Sequence, residues 1–228
     1  MNSYLVFDTE FSIKQYYDRV GNWLYNPLVA IGLKSSNEVQ PHSKWIYPDK
    51  IKEFIVDEDV LIGHNLKVDL LYMWGLESLQ DAFSKGLRVW DTSVAHYMLS
   101  GQRDKYPALR DIAVRCYGLK ERDKLMESYW DKDIDTMDIP QEIVLNDVEN
   151  DVLDTEAIYL QQVEQAKKKG MYELIHTHAG DTLCGIIECE YNGMKIDRKI
   201  LGKNRKELER ELEESTKLLL PYIERYWK

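Results

Sequence analysis

The sequence predicts an α/β fold in which one central sheet is flanked by helices. Segments with the composition of strands alternate along the chain with segments whose apolar residues recur at helical spacing, and this alternation is typical of layered α/β domains. One strand and one helix are the clearest segments of this pattern. One is "YLVFDTEF" at residues 4–11, which begins as an apolar strand, and the other is the helix after Pro140, which carries Val144, Val148 and Val152.

The predicted strands fall in the first half of the chain, where short apolar runs are separated by turn residues. They are residues 4–7, "NPLVAIGL" (26–33), "SKWIYP" (43–48), Val60 to Ile62, and a segment near Val89. The stretch "IKEFIVDEDVLIGHN" predicts a short helix before the buried strand that ends at Gly63.

The helices are predicted from apolar spacing and from capping residues. Residues 65–74 form one, a second begins after Asp91, which is a good N-cap, and "ALRDIAVRCYG" (108–118) is an amphipathic helix closed by Gly118. Residues 121–139 are rich in charge and predict a long irregular excursion, which carries Tyr129 and Trp130.

The end of the chain has a different character. "DTLCGIIECEYNGMKID" (181–197) predicts a helix, a glycine turn and a short strand, and residues 198–228 form a charged helix. Its leucines at 201, 208, 212 and 218–220 make a stripe that must pack against something.

Composition limits the function classes. The chain has 228 residues, is 44% hydrophobic and 31% charged, and has no apolar run long enough to span a membrane. A strand pattern from Tyr4 leaves no room for a signal peptide, so we expect a cytoplasmic protein. Three cysteines without a CxxC pair predict reduced thiols, and the spacing of the histidines argues against zinc. A net charge of −10 implies that any contact with nucleic acid is local or bridged by cations.

Acidic side chains suggest where such cations would bind. Asp8 and Glu10 point to the same side of the first strand, because side chains alternate faces along a strand. Asp69 lies near the start of the helix after the buried strand, and Asp151 lies in the helix after Pro140. Four carboxylates that converge need countercharge, and two divalent cations roughly 4 Å apart would supply it in the arrangement that cleaves phosphodiesters. With 40 acidic residues in the chain, solvated helix faces are the alternative.

Three ordered motifs resemble the exonuclease motifs of DNA polymerase I-like (family A) enzymes, which belong to the DEDD exonuclease superfamily together with RNase D. They are "FDTE" (7–10), "GHNLKVDL" (63–70) and "DVLDT" (151–155), and "WDTSVAHYML" (90–99) and "ALRDIAVRCYG" resemble the stretches between them. The resemblance covers residues 4 to about 165, and "HNLKVDL" is its most specific part.

The resemblance implies an RNase H-like fold and a 3′–5′ exonuclease that proofreads single-stranded or frayed DNA 3′ ends. Asp8, Glu10, Asp69 and Asp151 would bind two Mg²⁺ or Mn²⁺ ions. Residues 1–175 would form the exonuclease domain, and residues 176–228 resemble the helical opening of a polymerase module that is truncated or split. A start directly at the exonuclease domain is more similar to phage enzymes, and the expected partners are a DNA 3′ end and a polymerase module or subunit.

Three further residues are expected near the terminal nucleotide. Phe11 could stack on a base, or it could be a core residue. His64 and Asn65 belong to the middle motif, and Asn65 could also cap the helix that follows.

One position departs from the family pattern. The polymerase-type subfamily has a Tyr four residues before the last acid, where it orients the attacking water, and Asp147 stands there in this chain. The histidine subfamily would need His at Asn146. Assigning Asp154 as the last acid would put Asn150 in the Tyr position and break the motif, so we assign Asp151. Asp147 could accept a hydrogen bond from the water or act as a general base, or it could be a solvated acid.

Two other functions fit the same residues. The chain could be a catalytically weak or inactive module that binds nucleic acid or docks to a polymerase, since the Tyr is missing. It could also be an RNase D-like ribonuclease, although the polymerase-like tail argues against this.

Overall fold

The computed structural model describes residues 2–13, 26–104, 107–122 and 125–226. In this part of the chain, five strands form one mixed sheet in the order β3-β2-β1-β4-β5. The strands are β1 (Tyr4–Phe11), β2 (Leu28–Ser35), β3 (His42–Trp45), β4 (Val60–Gly63) and β5 (Arg88–Asp91). β1, β2 and β3 pair antiparallel, whereas β1, β4 and β5 pair parallel. The predicted α/β fold with a mixed central sheet is confirmed.

The described part of the chain also forms nine α-helices. They are α1 (Lys67–Met73), α2 (Glu77–Ser84), α3 (Thr92–Leu99), α4 (Leu109–Tyr117), α5 (Leu125–Trp130), α6 (Gln141–Lys168), α7 (Tyr172–Ile175), α8 (Thr182–Asn192) and α9 (Arg198–Tyr226), with a 3₁₀ turn at Thr136–Asp138 and a π-helical turn at His176–Asp181. Two predicted caps are present. The Asp91 side chain accepts hydrogen bonds from the backbone N–H groups of Ser93 and Val94, and Gly118 ends α4 with a φ of 66°.

The alternation of side chains along β1 sends its apolar residues into two different core clusters. Leu5 and Phe7 pack on one face with residues of α1 and α2. Tyr4 and Val6 pack on the other face, in a cluster that includes Val152 of α6. Asp8 and Glu10 continue the second face, so they point toward the side of the sheet that α6 covers.

Three predicted local structures are wrong. Residues 51–57 contain no helix, because Phe54 and Val56 are both buried in the core. The backbone N–H of Phe54 donates to Ser78 Oγ instead of to a helical carbonyl oxygen. The excursion at 121–139 contains α5 and the 3₁₀ turn, since Met126 packs in a core cluster with Ile139. The short strand expected after the glycine turn is absent, as the described residues 194–197 are irregular.

The chain divides into two compact units, Met1–Tyr191 and Asn192–Lys228. The sequence placed a boundary after residue 175, but Leu183 and Ile187 of α8 are buried in the core of the first unit. The second unit contains α9, which confirms the predicted charged helix, and its Leu208 and Leu212 are exposed. Among the described residues, no helix combines the length and the apolar character that crossing a bilayer requires.

Candidate active site

A glycine lets α6 approach the sheet closely where β1 and β2 pair. Gly32 of β2 lies directly opposite Asp8 of β1. A Cβ atom on Gly32 would lie 3.0 Å from the carbonyl oxygen of Val148 and 3.1 Å from Cγ2 of Val152. Contacts this short leave no room for a side chain. The absence of a side chain at Gly32 therefore allows α6 to bring its polar face over the end of β1.

Three of the predicted acids meet at this point. One carboxylate oxygen each from Asp8, Glu10 and Asp151 lie within 4.8 Å of one another. Burial raises the pKa of Asp8 and of Glu10 well above the ordinary value, and the neighbouring carboxylates raise both further. Burial, followed by the charge of Asp147, raises the pKa of Asp151 to about 7.

Asp69 lies beside this group in the first turn of α1. Its carboxylate is buried and accepts a hydrogen bond from the hydroxyl of Thr9, which lies between the two acids of β1. Burial raises the pKa of Asp69 to about 7, although the Thr9 hydroxyl opposes the rise. Among neighbouring charges, Asp69 contributes most to the raised pKa of Asp8. The structure thus places all four predicted acids in one region.

The four acids have no salt-bridge partner within the part of the chain that the structure describes, although the charges of Arg110 and Arg122 lower the pKa of Asp151. No Lys or Arg there forms a salt bridge with Asp8, Glu10, Asp69 or Asp151. Their oxygens are the hard ligands that Mg²⁺ and Mn²⁺ prefer. Their raised pKa values show how strongly the site disfavours negative charge without a cation. The donor set and the charge therefore fit divalent metal ions.

Asp147 lies next to the four acids, one turn before Asp151 on α6. Its charge raises the pKa of Glu10 and of Asp151. Arg110 of α4 partly compensates this charge, since its Nη2 lies 4.0 Å from Asp147 Oδ1 while its Nη1 donates to Glu127 at 2.6 Å. Burial nevertheless raises the pKa of Asp147.

Asp154, the alternative last acid of the third motif, is engaged elsewhere. Arg122 donates two hydrogen bonds to its carboxylate, from Nε at 2.9 Å and from Nη2 at 2.6 Å, and a third to Asn150 Oδ1 at 2.5 Å. A carboxylate that forms a bidentate salt bridge with a guanidinium has little capacity left to bind a metal ion. This geometry favours Asp151 over Asp154 as the metal-binding acid.

His64 and Asn65 occupy the turn between β4 and α1. His64 Nε2 lies 3.2 Å from the Pro107 carbonyl oxygen, to which it donates, and Nδ1 lies 2.9 Å from Thr92 Oγ1. Burial lowers the pKa of His64 to about 4, so the ring is neutral at pH 7. Because both ring nitrogens have protein partners, His64 fixes the turn in this structure.

Asn65 has an exposed side chain and a φ of 56°, a left-handed conformation that Asn tolerates better than most residues. It does not cap α1, whose N-cap is Leu66 without a side-chain hydrogen bond. Asp91 holds the turn instead, since its carboxylate accepts from the backbone N–H groups of Asn65 and Leu66. The sequence predicted the Asp91 cap on α3 but not this second role.

Phe11 ends β1 and is half-buried. Its ring stacks on Tyr72, with 5.8 Å between the ring centroids and 25° between the planes. The sequence left a base-stacking role and a core role open, and the structure shows a ring that has one aromatic neighbour and retains some exposure.

No recognised sequence signal pointed to four residues that contribute to the site. They are Thr9, Gly32, Arg110 and Arg122. Thr9 could have been found from its position within the first motif, whereas the other three act across elements that only the tertiary fold brings together.

A cavity of about 730 Å³ runs along α6 beside Asp147, and Lys120, Arg122, Asn146 and Asn150 are among its lining residues.

The raised pKa values predict how the metal-free protein responds to pH. Asp69 and Asp151 have pKa values of about 7 in the folded state, whereas an unfolded Asp has about 3.9. The folded state therefore binds extra protons between these values, so its stability falls as pH rises from about 4 to about 7 and levels off above that range. We expect the free energy of unfolding in EDTA to lose an amount on the order of a few kcal/mol between pH 5 and pH 8.

Urea denaturation in EDTA at both pH values measures this loss. Asp151→Asn should reduce it, because the amide does not titrate, and saturating Mg²⁺ should also reduce it. An equal loss in the wild type and in Asp151→Asn would contradict the assignment of the raised pKa to this residue.

Comparison with known proteins places this fold among solved nucleases. The chain resembles Brucella melitensis NrnC bound to pGG, with a TM-score of 0.59 and 14% identity over 86% of this chain and 88% of that one. It resembles the same protein with bound Mg²⁺, with a TM-score of 0.59 and 14% identity over 86% and 89%. A third structure, described as the apo form of the nuclease, gives a TM-score of 0.61 and 15% identity over 85% and 87%.

This likeness shows that the chain shares the fold of these solved structures, and it confirms the predicted RNase H-like arrangement of a mixed sheet flanked by helices. At this level of identity the likeness concerns the fold. No protein-family model and no curated protein sequence matches the chain.

Proposed function

We propose that this protein is a metal-dependent 3′–5′ exonuclease that removes nucleotides from single-stranded or frayed 3′ ends. The observation that carries the proposal is the convergence of Asp8, Glu10 and Asp151, with Asp69 beside them, in a site without a described salt-bridge partner. The three ordered sequence motifs and the similarity to solved nuclease structures support it, and one of those nucleases was solved with bound Mg²⁺.

The chain's own residues would perform three tasks. When bound, a pair of Mg²⁺ or Mn²⁺ ions supplies an activated water at neutral pH and stabilises the leaving oxygen. Asp8, Glu10, Asp69 and Asp151 would hold these ions. Two of the acids lie on a central strand, and the hydroxyl of Thr9 fixes the third, so the ligands are held on rigid elements. Ligands that are already held in place lower the entropic cost of reaching the transition state.

Asp147 would accept a hydrogen bond from the attacking water, in place of the Tyr that the motif resemblance leads one to expect. Its carboxylate is one helical turn from Asp151, and Arg110 offsets part of its charge. A carboxylate at position 147 should orient the water less effectively than a phenol, because it adds one more negative charge to those that the metal ions must balance.

We therefore expect Asp147→Tyr to raise the rate of hydrolysis, on the order of fivefold to tenfold, which is what one well-oriented hydrogen bond is worth. Single-turnover rates on a labelled oligonucleotide at saturating Mg²⁺ measure the change, and Asp147→Phe, which lacks the hydroxyl, is the matched control. A sharp fall in the rate of Asp147→Tyr would mean that the Asp147 carboxylate does more than accept this hydrogen bond and acts as a general base.

Residues around the acids offer contacts for the terminal nucleotides. The side chain of Asn65 is exposed beside the site, and Phe11 presents part of an aromatic ring that could stack on a base. Among the described residues, the cavity along α6 is lined by four acids, Glu121, Glu142, Asp147 and Asp154, and by only two bases, Lys120 and Arg122, so a phosphate backbone in it would have to be bridged by cations. His64 would act indirectly, by holding the turn that presents Asn65.

The substrate of this proposal is DNA, on the strength of the resemblance to family A polymerase motifs, and proofreading beside a polymerase module is the role that this resemblance suggests. A ribonuclease is the second candidate. The structural neighbours support it, since one of these nucleases was solved with the oligonucleotide pGG. An inactive binding module is the third, because Asp147 replaces the expected Tyr.

One assay separates the three. DNA and RNA oligonucleotides of the same sequence, labelled at the 5′ end, are incubated with the protein in Mg²⁺, Mn²⁺ or EDTA. A ladder that shortens from the 3′ end of DNA and disappears in EDTA supports the proposal. Faster shortening of RNA supports the ribonuclease, and retention of the oligonucleotide without cleavage supports the binding module.

A second assay addresses proofreading. Primers annealed to a template, with either a matched or a mismatched 3′ end, are compared under the same conditions. A proofreading exonuclease removes the mismatched end faster because that end frays, whereas equal rates would argue against this role.

A further inference from the structure

A second group of metal-ligand side chains lies outside the acidic site. His96 belongs to α3, Asp104 to the connection that follows it, and Cys116 to α4. One ligand atom from each of the three lies within 4.8 Å of the others. None of these residues belongs to the four acids or to the three exonuclease motifs, so the proposed function leaves this cluster unexplained.

The distances in this cluster are close to those of a metal site. His96 Nε2 lies 3.0 Å from Asp104 Oδ2. Nitrogen and oxygen ligands about 2.1 Å from a tetrahedral Zn²⁺ are about 3.3 Å apart, so this pair needs almost no movement to share an ion. Cys116 is exposed on α4, and its sulfur lies within 4.8 Å of the ligand atoms of His96 and Asp104.

The surroundings also suit a bound ion. His96 is only 7% exposed, and the edge of its ring faces Tyr117 across 6.3 Å between centroids. A small cavity of about 120 Å³ adjoins it, lined by His96, Leu99, Ser100, Cys116, Tyr117 and Gln165. A polar cavity of this size has room for an ion and for a water that would complete a fourth coordination position.

We propose that His96, Asp104 and Cys116 bind a Zn²⁺ ion that ties α3 to α4. A thiolate and an imidazole select Zn²⁺ over Mg²⁺, which takes oxygen ligands, so this site and the acidic site take different metals. Binding replaces the hydrogen bond between His96 and Asp104 and releases the thiol proton of Cys116 to solvent. The sequence argued against zinc because its histidines have no Cys or acidic partners at ligand spacing, and the three ligands come together only in the fold.

Cobalt(II) tests the proposal directly, since it replaces Zn²⁺ and reports its ligands by colour. The full chain, freed of metal, is titrated with Co²⁺. A thiolate ligand gives a sulfur-to-cobalt charge-transfer band in the near ultraviolet, which the carboxylates of the acidic site cannot give. We expect this band in the wild type, its loss when Zn²⁺ is added, and its persistence when Mg²⁺ is added.

The variants assign the sulfur. Cys116→Ser should abolish the band, and because Cys116 is exposed the variant should fold normally, as circular dichroism will show. Cys189→Ser, at an exposed cysteine in α8, is the matched control and should keep the band. Zn²⁺ should raise the melting temperature of the wild type and of Cys189→Ser but leave that of Cys116→Ser unchanged. The proposal is overturned if the wild type shows no band, or if the band survives in Cys116→Ser.

Discussion

Asp8→Asn is expected to reduce metal-dependent hydrolysis on the order of 10³-fold while leaving the protein folded. Asp69, Asp151 and Glu10 all raise the pKa of Asp8. An amide of the same shape removes one negative ligand, and the loss of metal-assisted stabilisation of a phosphodiester transition state amounts to several kcal/mol. Initial rates on labelled single-stranded DNA at saturating Mg²⁺ measure the loss.

The melting temperature of metal-free Asp8→Asn should rise, whereas its rate of hydrolysis falls. Without metal, the ionised Asp8 repels its neighbours, so Asp8→Asn should raise the melting temperature in EDTA. With Mg²⁺, the wild type should gain about 2.7 kcal/mol at a metal concentration 100 times its Kd, and the variant should gain less. Thermal denaturation with and without Mg²⁺ separates a lost metal ligand from a misfolded protein.

Asp81→Asn, the same substitution at an exposed acid of α2, is the matched control and should leave both the rate and the melting temperature unchanged. If Asp8→Asn keeps a rate within tenfold of the wild type, the acids at the end of β1 do not hold the catalytic metal ions.

Gly32→Val is expected to cost about 100-fold in rate, although Gly32 carries no chemistry. A Cβ at this position already lies 3.0 Å from the Val148 carbonyl oxygen, and the added methyl groups of Val must push α6 away from the sheet. Asp151 moves with α6, and a misplacement of about 1 Å in a catalytic constellation costs on the order of 10²-fold. Overpacking should also lower the free energy of unfolding by about 1–3 kcal/mol.

Gly185→Val provides the control for backbone effects. Gly185 lies in the interior of α8, and a Cβ there meets no atom within 4 Å. Because Val is a better helix former than Gly, this variant should be slightly more stable than the wild type, and its rate should be unchanged. Rates are compared well below the melting temperature of each variant. Equal rates for Gly32→Val and the wild type would show that close approach of α6 to β2 does not position Asp151.

Local rules were enough to predict several parts of the site. Strand periodicity put Asp8 and Glu10 on one face, and the structure finds them together. The N-cap preference of Asp91 and the left-handed Gly118 correctly marked helix ends, because capping depends on a few adjacent residues. The short helix predicted before the strand at Val60 is absent, since Phe54 and Val56 are placed by the core and not by helical spacing.

The sequence by itself determined which acids are available and which face of β1 carries Asp8 and Glu10, because these follow from composition and from a period of two residues. Only the tertiary structure decided how the third motif enters the site. Asp151 and Asp154 are three residues apart and share one side of α6, so helical spacing cannot separate them. The close packing of α6 on Gly32 turns Asp151 toward β1, and Arg122, which comes from a different segment, neutralises Asp154.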